Sequence, residues 1–156
     1  MENYHMLIKQ AKRAFETADH LAYVTYPLIK ETKLIITITG HLDNAVRDAV
    51  QALFEYERMY KRISYIPNEF MTRMEMMKTS ILPRYGMQEY INTMTELRKI
   101  MEDHKKSSME FVRNDKIFIY ADGYRRYSSV SLDNVKGLIG KTRKLVDRVE
   151  GILART

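Results

Sequence analysis

Apolar residues recur at steps of three and four through most of the chain, the spacing of one face of a helix. From Asn3 to Val24 the step is kept by Tyr4, Leu7, Ala11, Phe15, Ala18 and Ala22, and Pro27 is expected to end the helix. The longest stripe joins Ile35, Ile38, Leu42, Ala45, Ala49, Ala52, Tyr56, Met59 and Ile63. Its start, LIITIT, alternates and is rich in β-branched residues, a strand habit, and Gly40 weakens a helix there. The unbroken stripe nevertheless predicts helix. Alanine at its middle lets a neighbour approach closely, so the Ile35–Ile63 seam suits either another helix of the same chain or a homodimer partner.

After Pro67, a third helix is predicted over Asn68 to Ile81 from Phe70, Met71, Met74, Met77 and Ile81, closed by Pro83 and Gly86. A fourth runs from Met87 to His104 with Tyr90, Met94, Leu97 and Met101 inward. Ser107 and Glu110 have the spacing of a capping box, which predicts a short helical turn through Val112.

The period then changes to two. Ile117 and Ile119 fall on one face of an extended segment, Phe118 and Tyr120 on the other, and Asp122-Gly123 is a dipeptide that favours tight hairpin turns. This pattern predicts a hairpin over about 116–129. With a two-residue turn, Ala121 would face Tyr124, Tyr120 would face Arg125, Ile119 would face Arg126 and Phe118 would face Tyr127. Ser131 is the expected N-cap of a final helix to about Ala154, with Leu132, Val135, Leu138, Ile139, Leu145, Val149 and Ile152 near its buried stripe. The expected fold is mainly α: one domain over 1–156, a bundle of about five helices with a single β-hairpin before the C-terminal helix.

A chain of 156 residues can bury one core, and 45% hydrophobic with 29% charged residues suits a globular protein. The chain has no cysteine, so thiolate chemistry and disulfides are excluded. The amino-terminal residues lack the pattern of a secretory signal, and no apolar run reaches the ~20 residues that cross a bilayer, so a cytoplasmic protein with no membrane role is expected.

The net charge of +6 is unevenly placed: residues 104–148 hold 11 basic and 5 acidic side chains. The hairpin contributes Lys116, Tyr120, Tyr124, Arg125, Arg126 and Tyr127 to this region, with Arg113 before it. The last helix adds Lys136, Lys141, Arg143, Lys144 and Arg148. Aromatic faces stack on any base and guanidinium groups pair with phosphate, so the mixture points to a non-enzymatic module that binds RNA or ribonucleoprotein.

Other constellations are poorer. Glu2 and His5 form an E-x-x-H pair without the second pair of a di-iron bundle, so no metal or other cofactor is expected. His41-Leu42-Asp43 lacks a nucleophile elbow. Gly137, Gly140, Lys141 and Thr142 mimic the end of a phosphate loop, but its first glycine would have to stand where Val135 does. Gly137-Leu138-Ile139-Gly140 also lacks the polar middle of a KH-domain clamp. The methionines from Met71 to Met77 read as core, and Tyr56, Tyr60 and Tyr65 beside Arg58, Lys61 and Arg62 read as a helix surface.

Arg98 and His104, separated by five residues, resemble the R-x(4–6)-H motif of HEPN-type ribonucleases, which are also helical bundles. The resemblance is confined to this motif; Arg13 and His20 fit it as well, and Lys99 stands where that family often has a smaller polar residue. It implies metal-independent RNA cleavage, in which the Arg would stabilise phosphate charge and the His would move a proton. The sequence thus carries three classes of function: RNA binding through the basic hairpin and last helix, ribonuclease chemistry at Arg98 and His104, or a protein-interaction module docking through the long seam.

Overall fold

The computed structural model describes residues 3–155 and is mainly helical, with a three-stranded antiparallel sheet inserted before the last helix. Helix α1 (Asn3–His20) continues through a π turn (Leu21–Thr25) and a last α turn (Tyr26–Ile29). Pro27 therefore does not end the helix where expected. In the π turn the Tyr26 N–H reaches back five residues to the Leu21 carbonyl, and this wider winding accommodates the proline ring. The helix stops instead at Lys30, whose φ of 54° is left-handed.

Helix α2 (Leu34–Met59) buries Ile35, Ile38, Leu42, Ala45, Ala49, Ala52 and Tyr56, as the seam predicts. The partner is this chain's own α1, with which α2 packs along its length. Of the two partners that the Ile35–Ile63 seam suits, a helix of the same chain is the one that covers it. Ile35 to Ala52 of the seam are fully covered within one chain, and only its carboxyl end is open, where Met59 is exposed.

Helix α3 (Phe70–Met76) repeats the device of α1: a π turn (Met77–Ile81) precedes the turn Leu82–Arg84, which holds Pro83. Met74, Met77, Ile81 and Leu82 enter the core, whereas Met71 stays exposed. Gly86, at φ 66°, turns the chain into a 3₁₀ turn (Gln88–Tyr90) and helix α4 (Ile91–Lys105). Helix α5 (Leu132–Leu153) starts at Ser131, which forms a reciprocal capping box: the Asn134 N–H donates to Ser131 Oγ and the Ser131 N–H to Asn134 Oδ1, at 3.2 and 3.1 Å.

Between α4 and α5 lie β1 (Ser107–Arg113), β2 (Lys116–Ala121) and β3 (Arg126–Ser131), in that order across the sheet. The helical turn expected from Ser107 to Val112 is a strand. Asn114 and Asp115 both take positive φ, 53° and 60°, a geometry their short polar side chains tolerate, and they fold β1 back on β2. The β2–β3 turn is also longer than expected. Positive φ runs through Asp122, Gly123 and Tyr124, and the strands close at Ala121 opposite Arg126. Tyr120 therefore faces Tyr127 and Ile119 faces Ser128. This moves the register by two residues, so every side chain keeps its expected face.

Candidate nucleic-acid interface

Alternation sorts the sheet into two faces. Ile117, Ile119, Ala121, Ser128 and Val130 are buried on the helix side, where β2 and β3 contact α4. The opposite face carries Met109, Phe111, Phe118, Tyr120 and Tyr127, brought side by side because Met109 pairs with Tyr120 and Tyr120 with Tyr127, while Phe111 pairs with Phe118. Tyr124 joins them from the turn. Its hydroxyl lies 3.7 Å from the Met109 sulfur, and its ring is 5.5 Å from that of Tyr120.

These rings form a continuous layer. Phe111 and Phe118 stack at 5.1 Å and 15°, Phe111 and Tyr120 at 6.1 Å and 14°, and Tyr120 meets Tyr127 at 5.1 Å. The layer faces outward: Phe111 is 40%, Tyr127 45% and Tyr124 60% exposed, while Phe118 and Tyr120 between them are half-buried. At one end of the same face Arg113 stands directly opposite Lys116. Two like charges so paired repel each other, and an anion between them would relieve the repulsion. Exposed Arg125 follows Tyr124 in the turn at the other end.

Arg126, expected in the interface, lies on the other face. Its guanidinium is 2.7 Å from the buried Asp103 carboxylate. Asp103 also accepts from Ser128 Oγ and from Lys99 Nζ, and the same ammonium donates to the Tyr127 carbonyl at 2.7 Å. Burial alone would raise the Asp103 pKa, but the hydrogen bonds from Lys99 and Ser128 and the charges of Lys99 and Arg126 outweigh it and hold the value below the usual one. Arg126 is thus a fastening between sheet and α4.

The cations of α5 fan around the helix at about 100° per residue rather than forming one front. Arg143 reaches α1, 3.3 Å from Asp19 and 5.2 Å above the Phe15 ring. Arg148 donates to the Tyr85 carbonyl at 2.6 Å, and Lys136 sits over Tyr23. Lys141 and Lys144 are exposed. The side-chain contacts of Arg143 and Arg148 lead to α1 and to the end of α3, none of them to the ring layer. Gly137 and Gly140 lie within α5 while Leu138 and Ile139 are buried in the core.

Arg98 and His104 share one groove without pairing to each other. Both line a groove of about 560 Å³ between α2 and α4, together with His41, Asn44, Arg47 and Lys105. Each is held by a carboxylate: Arg98 Nη1 lies 3.4 Å from Glu102, and His104 Nδ1 shares a 2.5 Å hydrogen bond with Glu110. The Glu2 member of the Glu2–His5 pair lies outside the described residues. Among those described, no three His, Asp or Glu side chains gather as a metal ion would require.

Sequence reading missed Met109 and Phe111, because β1 was expected to be helical. The signal was available in the alternation of Met109, Phe111 and Arg113 ahead of Asn114-Asp115. No known protein family, curated protein or solved structure matches this chain. Among the described residues no helix is long and apolar enough to cross a membrane.

Proposed function

We propose that the protein is a non-enzymatic binder of single-stranded RNA, free or within a ribonucleoprotein, and that the outer face of the sheet is its platform. The observation that carries this reading is the outward-facing ring layer of Phe111, Phe118, Tyr120, Tyr124 and Tyr127, with Arg113 paired to Lys116 at one end and exposed Arg125 next to Tyr124 in the turn at the other. A large exposed aromatic surface costs free energy in water unless a partner covers it. Bases do so without sequence preference, at about 1–3 kcal/mol each, while neighbouring cations hold the phosphates. Lys141 and Lys144 extend the positive field as a secondary contribution; Arg126, Arg143 and Arg148 are engaged within the protein and are not assigned to the platform.

Fluorescence anisotropy with a labelled single-stranded RNA, repeated across salt concentrations, tests this. Tyr120→Ala with Tyr127→Ala should weaken binding at every salt concentration. Arg113→Gln with Lys116→Gln should flatten the salt dependence by about one unit of slope per cation. Unchanged affinity in both double variants would reject the platform.

A second reading has one observation in its favour: Arg98 and His104 line the same groove, as RNA cleavage by that pair would require. Incubation with RNA in chelator decides between the two. Cleavage that disappears in His104→Ala supports catalysis, and intact RNA with a mobility shift supports binding alone.

A further inference from the structure

A second cavity, of about 340 Å³, lies between α2, α3 and α4. Its apolar wall is made by Val46 and Val50 from α2, Phe70 and Met74 from α3, and Met94 from α4. Three arginines, Arg47, Arg73 and Arg98, come to it from three different helices.

Two of these guanidinium groups are braced. Arg73 donates to the Pro67 carbonyl at 3.0 Å and to Gln51 Oε1 at 2.7 Å, and lies 4.6 Å from the centre of the Phe54 ring. Arg98 lies 5.1 Å from the Phe70 ring centre, and its Nε is buried with no hydrogen-bond partner. Arg47 is exposed at the rim. Burial lowers the pKa of Arg73, and the positive charges of Arg47 and Arg98 lower it further. Arg98 is also paired with Glu102 at 3.4 Å, and the three cations outnumber by one the two carboxyl groups, Asp43 and Asp48, that line the cavity, an excess that an anion would offset.

Two carboxyl groups, of Asp43 and Asp48, border the same space, and burial raises the pKa of both against the opposing pull of nearby arginines. Acceptors of this kind beside the cations suit a ligand whose anionic end is small and whose body carries hydroxyl groups. The cavity shares Asp43, Arg47 and Arg98 with the α2–α4 groove, so the two lie side by side.

We infer that this cavity binds a small hydroxylated phosphate ester of the sugar phosphate class, its phosphate held by Arg47, Arg73 and Arg98 and its hydroxyl groups by Asp43 and Asp48. The site is separate from the ring layer of the sheet and does not depend on RNA binding there.

Backbone amide NMR titration of the full chain tests it with three probes: inorganic phosphate, ribose 5-phosphate and ribose. Saturable shifts at Arg47, Gln51, Asn68, Arg73 and Arg98 are expected with both phosphates, tighter for ribose 5-phosphate, and none with ribose. Arg47→Gln, at an exposed position, should weaken both phosphates about tenfold or more. Asp48→Asn should weaken ribose 5-phosphate and spare inorganic phosphate. Tyr127→Ala should alter neither.

No response to either phosphate, or an undiminished response in Arg47→Gln, would overturn the site. Equal affinity for inorganic phosphate and ribose 5-phosphate, or tighter binding of ribose than of either phosphate, would overturn the ligand class.

Discussion

Arg126 on β3 meets Asp103 on α4 at 2.7 Å, and this pair seats the sheet on the helical bundle. Its position explains why a charged residue next to the ring layer is not part of it. Arg126 and Tyr127 are neighbours in sequence, so the pleat sends them to opposite faces.

Replacing Asp103 by Asn should destabilise the protein by about 2 kcal/mol in urea melts, because charged hydrogen bonds from Lys99 and Ser128 and the Arg126 ion pair are lost together. The pH dependence has a definite sign. The folded-state pKa of Asp103 lies below its ordinary 3.8, so its stabilisation is complete above that value and is lost as pH falls through the folded value. The stability gap between wild type and Asp103→Asn should therefore be constant at neutral pH and close only in acid.

Asp43 behaves in the opposite way. Burial raises its pKa above 3.8, and Arg98 and Arg47 only partly offset this, so ionising it costs stability once the pH exceeds the unfolded value. Asp43→Asn should raise the melting temperature at neutral pH, and the gain should vanish as the pH is lowered through the ordinary carboxylate range. A lower melting temperature at pH 7 would contradict this.

At the far end of α2, the buried Glu57 carboxylate accepts from Arg62 at 3.1 Å, from Arg84, and from the Tyr85 hydroxyl at 2.6 Å. Burial and the hydrogen bond to Glu57 push the Tyr85 phenol well above the usual tyrosine range. In an alkaline absorbance titration of the folded protein, Tyr85→Phe should remove no ionisation from the ordinary range near pH 10. Loss of a tyrosinate signal there would show that Glu57 does not hold that proton.

Gly40 sits inside α2, and a Cβ there would lie 3.4 Å from the flexible end of Met101. Alanine gains helix propensity, and Met101 can move a few tenths of an ångström. Gly40→Ala should stabilise by up to about 1 kcal/mol in denaturant unfolding.

The helices were legible because burial repeats along each of them: Ile35 through Ala52 fall in the core as the spacing requires. Ser131 was legible as a cap because capping is local. The strand β1 was not. Ser107 and Glu110 have a local spacing that suits a helix start, but pairing with β2, a partner made available by the Asn114-Asp115 turn, overrides it.

Charge counting located the right region and not the right surface. It could not tell Arg113 and Lys116, on the ring side, from Arg126, which even the expected register placed opposite inward-facing Ile119. Nor could it assign Arg143 and Arg148, whose directions depend on helices far away in sequence.

The π turns at Leu21–Thr25 and Met77–Ile81 each take one extra residue into the winding just before the turns that carry Pro27 and Pro83. Removing one residue from either would restore ordinary winding with little change of phase, since five residues of π winding turn the chain about as far as four of α, but it would set the proline ring against the carbonyl four residues before it. Tyr26 in one helix and Leu82 in the other would keep their buried faces. At exposed Tyr23, Val24 and Lys78 through Ser80 the extra residue is thus tied to the proline that follows, not to which side chain stands there.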